Sequence, residues 1–230
     1  MIPVGDSIPS RSAPVANWLL ILLNSVLFFL ELTQGRDVDA FLLRWGLVPA
    51  ALVGAAPAIP GALPPVVTIF TSMFLHAGWG HMLGNMLFLW VFGDNVEDAM
   101  GSRRYLLFYV LCGVAAALIQ VAADPGGTVP MVGASGAISG VLGAYMLMYP
   151  RAVVSVVAPM FLFFPVFNVP AVVMLGLWFL TQFTNGIASL AHTLPTAGVA
   201  WWAHIGGFVA GALLVWFFRR RRRTPRPLLY

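Results

Sequence analysis

The sequence predicts an all-α fold, a bundle of six transmembrane helices in a polytopic membrane protein. Of its 230 residues, 60% are hydrophobic and 9% are charged, whereas soluble domains have about 25% charged residues. The apolar residues form six stretches that are long enough, or nearly so, to cross a bilayer as helices. The length suits one domain. We therefore expect a membrane-embedded core, residues 17–218, between a short polar segment, residues 1–16, and a basic tail, residues 219–230.

The first span is predicted over residues 16–33, a largely apolar stretch with Glu31 near its end. Residues 34–65 are rich in proline, alanine and glycine, and their apolar pieces are too short to cross a bilayer. We expect an interfacial loop with short helices there.

Five further spans follow. They are predicted over residues 79–92, 105–122, 131–149, 169–189 and 198–218. Residues 93–104 (GDNVEDAMGSRR) predict a polar loop, and residues 123–130 (ADPGGTVP) predict a tight one. Residues 150–168 contain Arg151 and three prolines but are largely apolar, so we expect them at the membrane surface.

All 12 basic residues are arginines, and their distribution predicts the orientation of the chain. Six spans place both termini on one side. That side has Arg11, Arg103, Arg104, Arg151 and the six arginines of the tail. The other side has Arg36 and Arg44. The positive-inside rule therefore places both termini in the cytoplasm, and we expect a location in the cell membrane. A basic run at the end of an apolar helix favours contact with lipid headgroups over nucleic-acid binding.

Four polar side chains lie near the starts of the three spans that run inward from the outer face. His81 and Asn85 are on the second span, Ser135 is on the fourth and His204 is on the sixth. With a rise of about 1.5 Å per residue, each lies roughly 5–10 Å below the start of its helix. Polar groups within a span are costly and typically mark a working site, so their shared depth predicts one near the outer face.

Ser135 lies between Gly133 and Gly136 in the stretch MVGASGAISGVLG. One interpretation is structural, because small residues such as Gly136, Gly140 and Gly143 let membrane helices pack closely. The other is catalytic, because a helix N-terminus presents N–H groups and a positive dipole end where an oxyanion would form. This stretch alone leaves both open.

A serine needs a base to become a nucleophile, and His204 is the candidate. Gly207 and Gly211 follow it, and such small residues would let the sixth span approach the fourth. Ser135 and His204 could then share a hydrogen bond. A histidine satisfied by a carbonyl group or water is the alternative.

His81 and Asn85 are four residues apart and so share one helix face. Both side chains can donate to an oxyanion, together with the Ser135 N–H. The alternative is hydrogen bonding between helices.

A metal site is disfavoured by the same residues. His76 and His81 lack the HExxH pattern and have no neighbouring carboxylate, and the single cysteine, Cys112, excludes a cysteine cluster. His192 falls in an outer loop, where we expect it to be solvated. All eight carboxylates map to loops or helix ends, so we expect no buried carboxylate at the depth of the site. A Ser–His dyad is therefore favoured over a triad.

Three motifs stand in order at the heads of the even-numbered spans. They are His76-x4-His81-x3-Asn85, Gly133-Ala-Ser135-Gly136 and Ala203-His204-x2-Gly207-x3-Gly211. Together they resemble the rhomboid family of intramembrane serine proteases, and the resemblance covers the six-span core. It implies a rhomboid-like catalytic domain over residues 17–218 that requires neither metal nor cofactor.

The resemblance also implies residue roles. Ser135 would be the nucleophile and His204 the general base, while His81, Asn85 and the Ser135 N–H would form the oxyanion hole. The supporting residues would be His76, Gly133, Gly136 and Gly207. The substrates would be membrane-anchored proteins, cleaved in a transmembrane segment near the outer face.

Two further points follow from the resemblance. Trp178 and Phe179 of the fifth span would flank substrate entry between the second and fifth spans. Many relatives have an aromatic residue four positions after the nucleophile, stacked on the base, and this chain has Ser139 there. Either another ring orients the base, or the base is less firmly held.

Two other functions compete with proteolysis. A non-catalytic rhomboid-like protein that binds and guides membrane clients would share this fold, although degenerate members of that kind lose the serine or the histidine. A small transporter would need polar groups in the cytoplasmic halves of the spans as well, and such residues are sparse here.

Overall fold

A computed structural model describes residues 2–57, 59–158, 160, 163–190 and 198–220. Within these residues the chain forms nine α-helices and one three-stranded sheet. The helices are α1 Val15–Leu32, α2 Val38–Trp45, α3 Pro49–Leu52, α4 Pro65–Thr71, α5 Trp79–Met100, α6 Ser102–Ala123, α7 Ser135–Met148, α8 Ala171–Leu190 and α9 Trp201–Phe218. The strands are β1 Ile2–Asp6, β2 Val153–Val157 and β3 Val166–Pro170. His192 and the arginines beyond Arg220 lie outside the described residues.

Four of the described helices, α1, α6, α8 and α9, are long and apolar enough to cross a membrane. The helix α5 has 22 residues but has Asp94, Glu97 and Asp98 toward its end, and α7 has 14 residues. Both pack among the longer helices, α5 against α1 and α7 against α6 and α9. The predicted fold class, an all-α polytopic membrane protein, is confirmed.

The helix α7 lies at the centre of the bundle, and every residue from 136 to 145 is buried. Its main contact is with α9, and glycine makes that contact close. A Cβ atom on Gly207 would collide with the carbonyl oxygen of Gly136, and one on Gly211 would collide with the carbonyl oxygen of Gly140. These four residues, called the glycine seam below, let the two helices touch through their backbones.

The polar loop predicted over residues 93–104 is wrong, because α5 continues to Met100 and only the turn at Gly101, with φ +79°, separates it from α6. The polar side chains there are used inside the protein. The buried Glu97 carboxylate accepts hydrogen bonds from the N–H groups of Ala16 at 3.0 Å and Asn17 at 2.7 Å. It thereby satisfies donors in the first turn of α1 that have no partner within their own helix.

The fourth span begins later than predicted, at Ser135 instead of residue 131. Met131 is extended and pairs with Leu47 of the first loop, with N–O distances of 2.7 and 3.0 Å in the two directions. Gly133 then adopts φ +126°, a conformation that favours glycine. The loop over residues 34–65, which contains α2 and α3, is in this way attached to the start of α7.

The sheet was not predicted. Strand β2 pairs antiparallel with β1 on one side and with β3 on the other, so the start of the chain packs against the connection between α7 and α8. In β2 the side chains of Val154 and Val156 are buried in the core, as alternation along a half-buried strand requires. The Tyr145 hydroxyl donates a 2.7 Å hydrogen bond to the Asp6 carboxylate, which attaches the sheet to α7.

Candidate active site

The hydroxyl group of Ser135 and the imidazole of His204 are in contact. Ser135 is the first residue of α7 and His204 lies in the first turn of α9, and Oγ and Nε2 are 2.8 Å apart. The glycine seam explains this proximity, because it starts at Gly136 and Gly207, one and three residues further along these helices. A neutral imidazole whose Nε2 lacks a proton can accept the serine proton across such a distance.

The other ring nitrogen of His204 faces α8. Its Nδ1 lies 2.8 Å from Oε1 of Gln182, which is 7% exposed. The ring of Trp178, one turn earlier on α8, lies 6.1 Å from the imidazole at an angle of 37°. The Trp201 ring of α9 meets the imidazole edge to face at 6.3 Å. His204 therefore has aromatic neighbours from two helices.

Ser139 does not contribute to orienting the base. Its hydroxyl donates to the backbone carbonyl group of Ser135 at 2.6 Å. Of the described rings, Trp178 on α8 is the candidate for the substitute, because it lies beside His204. The contact between Gln182 and His204 was not predicted from the sequence.

His81 and Asn85 lie on the other side of Ser135. A Cβ atom on Gly133 would lie 2.6 Å from the His81 ring and 3.5 Å from the Ser135 Oγ. Only a glycine at that position lets the ring approach so closely. The buried side-chain nitrogen of Asn85 has no hydrogen-bond partner within the described part of the chain. An unpaired amide donor therefore belongs to a residue that lines the same cavity as Ser135.

These side chains share one cavity of about 470 Å³. Its lining includes Ser135, His204, His81 and Asn85, together with Trp178. The remaining wall is largely apolar, with contributions from α5, α6, α7, α8 and α9. The structure thus brings together all four of the polar residues that the sequence placed at one depth.

His76 lies behind His81 and outside this cavity. Its ring is 5.2 Å from the His81 ring, and both of its ring nitrogens are buried with no partner among the residues described. Burial, and secondarily the charge of His81, lower the pKa of His76 to about 3, so this ring is neutral at physiological pH. The backbone N–H of His76 donates to the Glu31 carboxylate at 3.0 and 3.2 Å.

Glu31 bears on one expectation. The sequence predicted that no buried carboxylate lies at the depth of the site, and Glu31, although at a helix end as predicted, is 1% exposed and binds the backbone of His76. It binds the backbone just before α5, and its recorded hydrogen bonds are to His76, not to His204. Within the described ranges, no group of three or more histidine, cysteine or acidic side chains is placed to hold a metal ion.

A model of the rhomboid domain matches residues 64–221, well over half of the chain. The chain belongs to the rhomboid family. The match contains every residue of the cavity named above and begins after α1, at the end of the first loop.

Three relatives illustrate the range of this rhomboid family. Rhomboid protease GluP of Bacillus subtilis is 33% identical over 58% of this chain and 24% of its own length. Rhomboid protein 1, mitochondrial, of Saccharomyces cerevisiae is 29% identical over 67% and 42% of the two chains. Rhomboid protease AarA of Providencia stuartii is 28% identical over 85% and 69%. The chain thus spans less than half of the length of the first two relatives.

Proposed function

We propose that this rhomboid-family chain is an intramembrane serine endopeptidase that acts through a dyad of Ser135 and His204. The main support is the 2.8 Å contact between Oγ and Nε2 in a cavity that also contains the unpaired amide donor of Asn85. Two relatives that share the rhomboid domain are named as proteases, which agrees with this assignment.

The reaction would proceed by acyl transfer to the serine. Oγ of Ser135 attacks the carbonyl carbon of the peptide bond while Nε2 of His204 takes the hydroxyl proton. The carbonyl oxygen becomes an oxyanion, which accepts hydrogen bonds from the Ser135 N–H and from the side chains of His81 and Asn85 at the positive end of α7. His204 then protonates the amine as the C–N bond breaks, and a water molecule hydrolyses the acyl-enzyme by the same steps in reverse.

The substrate would be a transmembrane segment of another protein. A helix hides its peptide groups in internal hydrogen bonds, so the segment must unwind locally before its carbonyl group can reach Ser135. Trp178 lines the cavity on α8, and with Phe179 it would flank the entrance. The arginine distribution supports cytoplasmic termini, which in a cell membrane would put cleavage near the extracytoplasmic face.

The test is cleavage of a single-span substrate by the purified protein in detergent and in liposomes. We expect the wild-type protein to cleave it and Ser135→Ala and His204→Ala to be inactive. A fluorescent fluorophosphonate should label the wild-type protein at Ser135 and leave the Ser135→Ala variant unlabelled. Equal cleavage by all three proteins would contradict the dyad. Binding of several substrates without cleavage or labelling would favour the alternative, a non-catalytic rhomboid-like protein that guides membrane clients.

A further inference from the structure

One face of α8 is turned toward His204. Trp178, Gln182 and Gly186 are spaced four residues apart and therefore share this face. Much of the rest of the helix is exposed, including Leu177, Leu180 and Phe183, as expected for a helix surrounded by lipid. A buried glutamine in such a helix is costly unless its amide is used.

The amide of Gln182 belongs to a chain of hydrogen bonds that crosses three helices. The Thr181 hydroxyl donates to the Trp178 carbonyl oxygen at 2.6 Å, so its oxygen can accept from Nε2 of Gln182, which is 3.3 Å away. Nε2 also lies 3.4 Å from the Trp178 carbonyl oxygen. The Trp178 carbonyl oxygen can only accept, so it favours the orientation with Nε2 on its side and the amide oxygen toward His204.

This orientation selects one tautomer of the base. An amide oxygen only accepts hydrogen bonds, so the Nδ1 of His204, 2.8 Å away, must donate to it. A neutral imidazole with its proton on Nδ1 has an unprotonated Nε2, which faces the Ser135 Oγ. With the proton on Nε2 instead, the imidazole could not accept the serine proton.

We propose that Gln182 is a positioning residue that holds His204 in the tautomer and orientation required to deprotonate Ser135. The inference rests on the proposed function and extends it. The arrangement resembles a catalytic triad in geometry, with a neutral amide in place of the usual carboxylate. The amide orients the imidazole without adding a negative charge to a site within the membrane.

The contact also makes the base dependent on the position of α8. One turn beyond Gln182, a Cβ atom on Gly186 would lie 2.9 Å from the Ile205 side chain, and the Trp202 indole donates to the Gly186 carbonyl oxygen at 3.1 Å. These contacts hold α8 against α9 one turn away from the hydrogen bond between Gln182 and His204. A displacement of α8 would therefore release His204.

The principal variant is Gln182→Met, which keeps the length of the side chain and removes the amide. Ser–His–Asp proteases lose about 10⁴ in kcat when the orienting carboxylate is replaced, and we expect a smaller loss of roughly 10- to 100-fold for a neutral amide. The expected loss is in kcat, with KM nearly unchanged. The matched control is Thr184→Val on the same helix, because Thr184 is exposed and its hydroxyl bonds only its own helix.

A second variant, Gln182→Glu, tests the contact itself. A carboxylate beside Nδ1–H favours the imidazolium form and should move the acidic limb of the kcat profile upward by about one pH unit or more. Other groups that face His204 are Ser135 on α7, the two tryptophans and, across the cavity, His81. They are the same in every variant, so a shift of the limb reports the substitution.

Nitrogen NMR of histidine-labelled protein measures the tautomer directly, with the His204 signal assigned by its absence from His204→Ala. We expect the proton on Nδ1 in the wild-type protein and a mixture of tautomers in Gln182→Met. Thermal unfolding in detergent shows whether each variant is folded. Gln182→Asn is a further variant, which keeps an amide on a side chain too short to reach Nδ1 of His204.

The outcomes separate this inference from the proposed function. If the wild-type protein cleaves substrate and Gln182→Met matches it in kcat, pH profile and tautomer, the positioning role is wrong and the protease function stands. If the wild-type protein reacts with the fluorophosphonate but cleaves no substrate, the protease function is wrong, and the labelling rates of the variants still decide the role of Gln182. An unreactive wild-type serine would overturn both.

Discussion

The helices α7 and α8 both place a side chain against His204, but they are packed in opposite ways. The helix α7 is buried from residue 136 to residue 145 and meets α9 backbone to backbone along the glycine seam. The helix α8 exposes much of its surface and meets α9 through side chains, from Gln182 to His204 and from Trp202 to Gly186.

This difference divides the site into two parts. Ser135 and His204, the proposed nucleophile and base, stand on the tightly packed pair, where any added atom forces two backbones apart. The orienting amide and the Trp178 ring stand on α8, whose hydrogen bonds each contribute only about 1 kcal/mol and can break and reform. Changes in the glycine seam should therefore lower both stability and activity, whereas changes at the α8 contact should lower activity with little effect on stability.

The largest effect is expected from Gly207→Ala. The new Cβ atom would collide with the Gly136 carbonyl oxygen, and overpacking of this kind costs about 1–3 kcal/mol. Because Ser135 and His204 lie within one turn of the contact, their separation should increase, and misplacement by about 1 Å can lower the rate 100-fold. Unfolding in detergent and substrate cleavage measure the two effects.

The control for this prediction is Gly176→Ala on α8, where a Cβ atom would have no neighbour within 4 Å. We expect that variant to be as active as the wild-type protein and no less stable, because alanine is favoured over glycine within a helix. Equal stability of the Gly207→Ala and Gly176→Ala variants would show that the glycine seam is looser than its geometry indicates.

A medium effect is expected from Gly186→Leu. A leucine here would press on the Ile205 and Trp202 side chains and move α8 away from α9, which lengthens the bond between Gln182 and His204. We expect kcat to fall about tenfold, with a small change in the unfolding temperature because α8 contributes few buried residues. Gly176→Leu adds the same side chain in open space on α8 and should retain activity. A large loss of stability in Gly186→Leu would remove the distinction between the two parts of the site.

The sequence predicted the tightly packed part better than the α8 part. The spacing of Gly136, Gly140, Gly207 and Gly211 is a local pattern that favours close packing of helices, so the approach of the two helices was predicted from it. Gln182 has no such pattern, because Thr181, Thr184 and Asn185 lie nearby on the same apolar helix. Which of these residues meets α9 depends on tertiary packing.

Two errors in the fold have a similar cause. The polarity of residues 93–104 predicts a loop, but the polar side chain of Glu97 binds the start of α1. The sheet joins β1 to β2, which follows about 150 residues later, and a two-residue alternation over five residues does not identify so distant a partner. In both cases the partner of a local segment lies far away in the chain.

A smaller effect is expected from Trp178→Leu. The Trp178 ring lies 6.1 Å from the imidazole, and an aromatic face stabilises the imidazolium that forms during the reaction by about 0.5–1 kcal/mol, which corresponds to two- to fivefold in rate. Trp178→Phe should retain most of the activity, since a ring remains. The matched control is Trp90→Leu, which removes an exposed indole of α5. Equal rates for Trp178→Leu and Trp90→Leu would mean that the Trp178 ring does not stabilise the imidazolium.

The smallest effect is expected at the far end of α7, where Tyr145 binds Asp6. Burial raises the pKa of Asp6 above its ordinary value of 3.8, although the bond from Tyr145 opposes this shift. When folding raises the pKa of a carboxyl group, the group's full contribution to the free energy of unfolding is present below its unfolded pKa, here 3.8. That contribution is lost as the pH rises through the pKa in the folded state. Asp6→Asn removes the ionisation and keeps an acceptor for Tyr145. Its unfolding temperature, compared with that of the wild-type protein, should therefore increase between about pH 4 and about pH 7.

Cleavage by the Asp6→Asn variant should be unchanged, because Tyr145 lies ten residues, or about 15 Å, along α7 from Ser135. A difference in unfolding temperature that is constant with pH would show that the Tyr145 bond offsets the cost of burying the Asp6 charge. A loss of activity would show that the sheet also positions the nucleophile, and the division of the site would then have to include this end of α7.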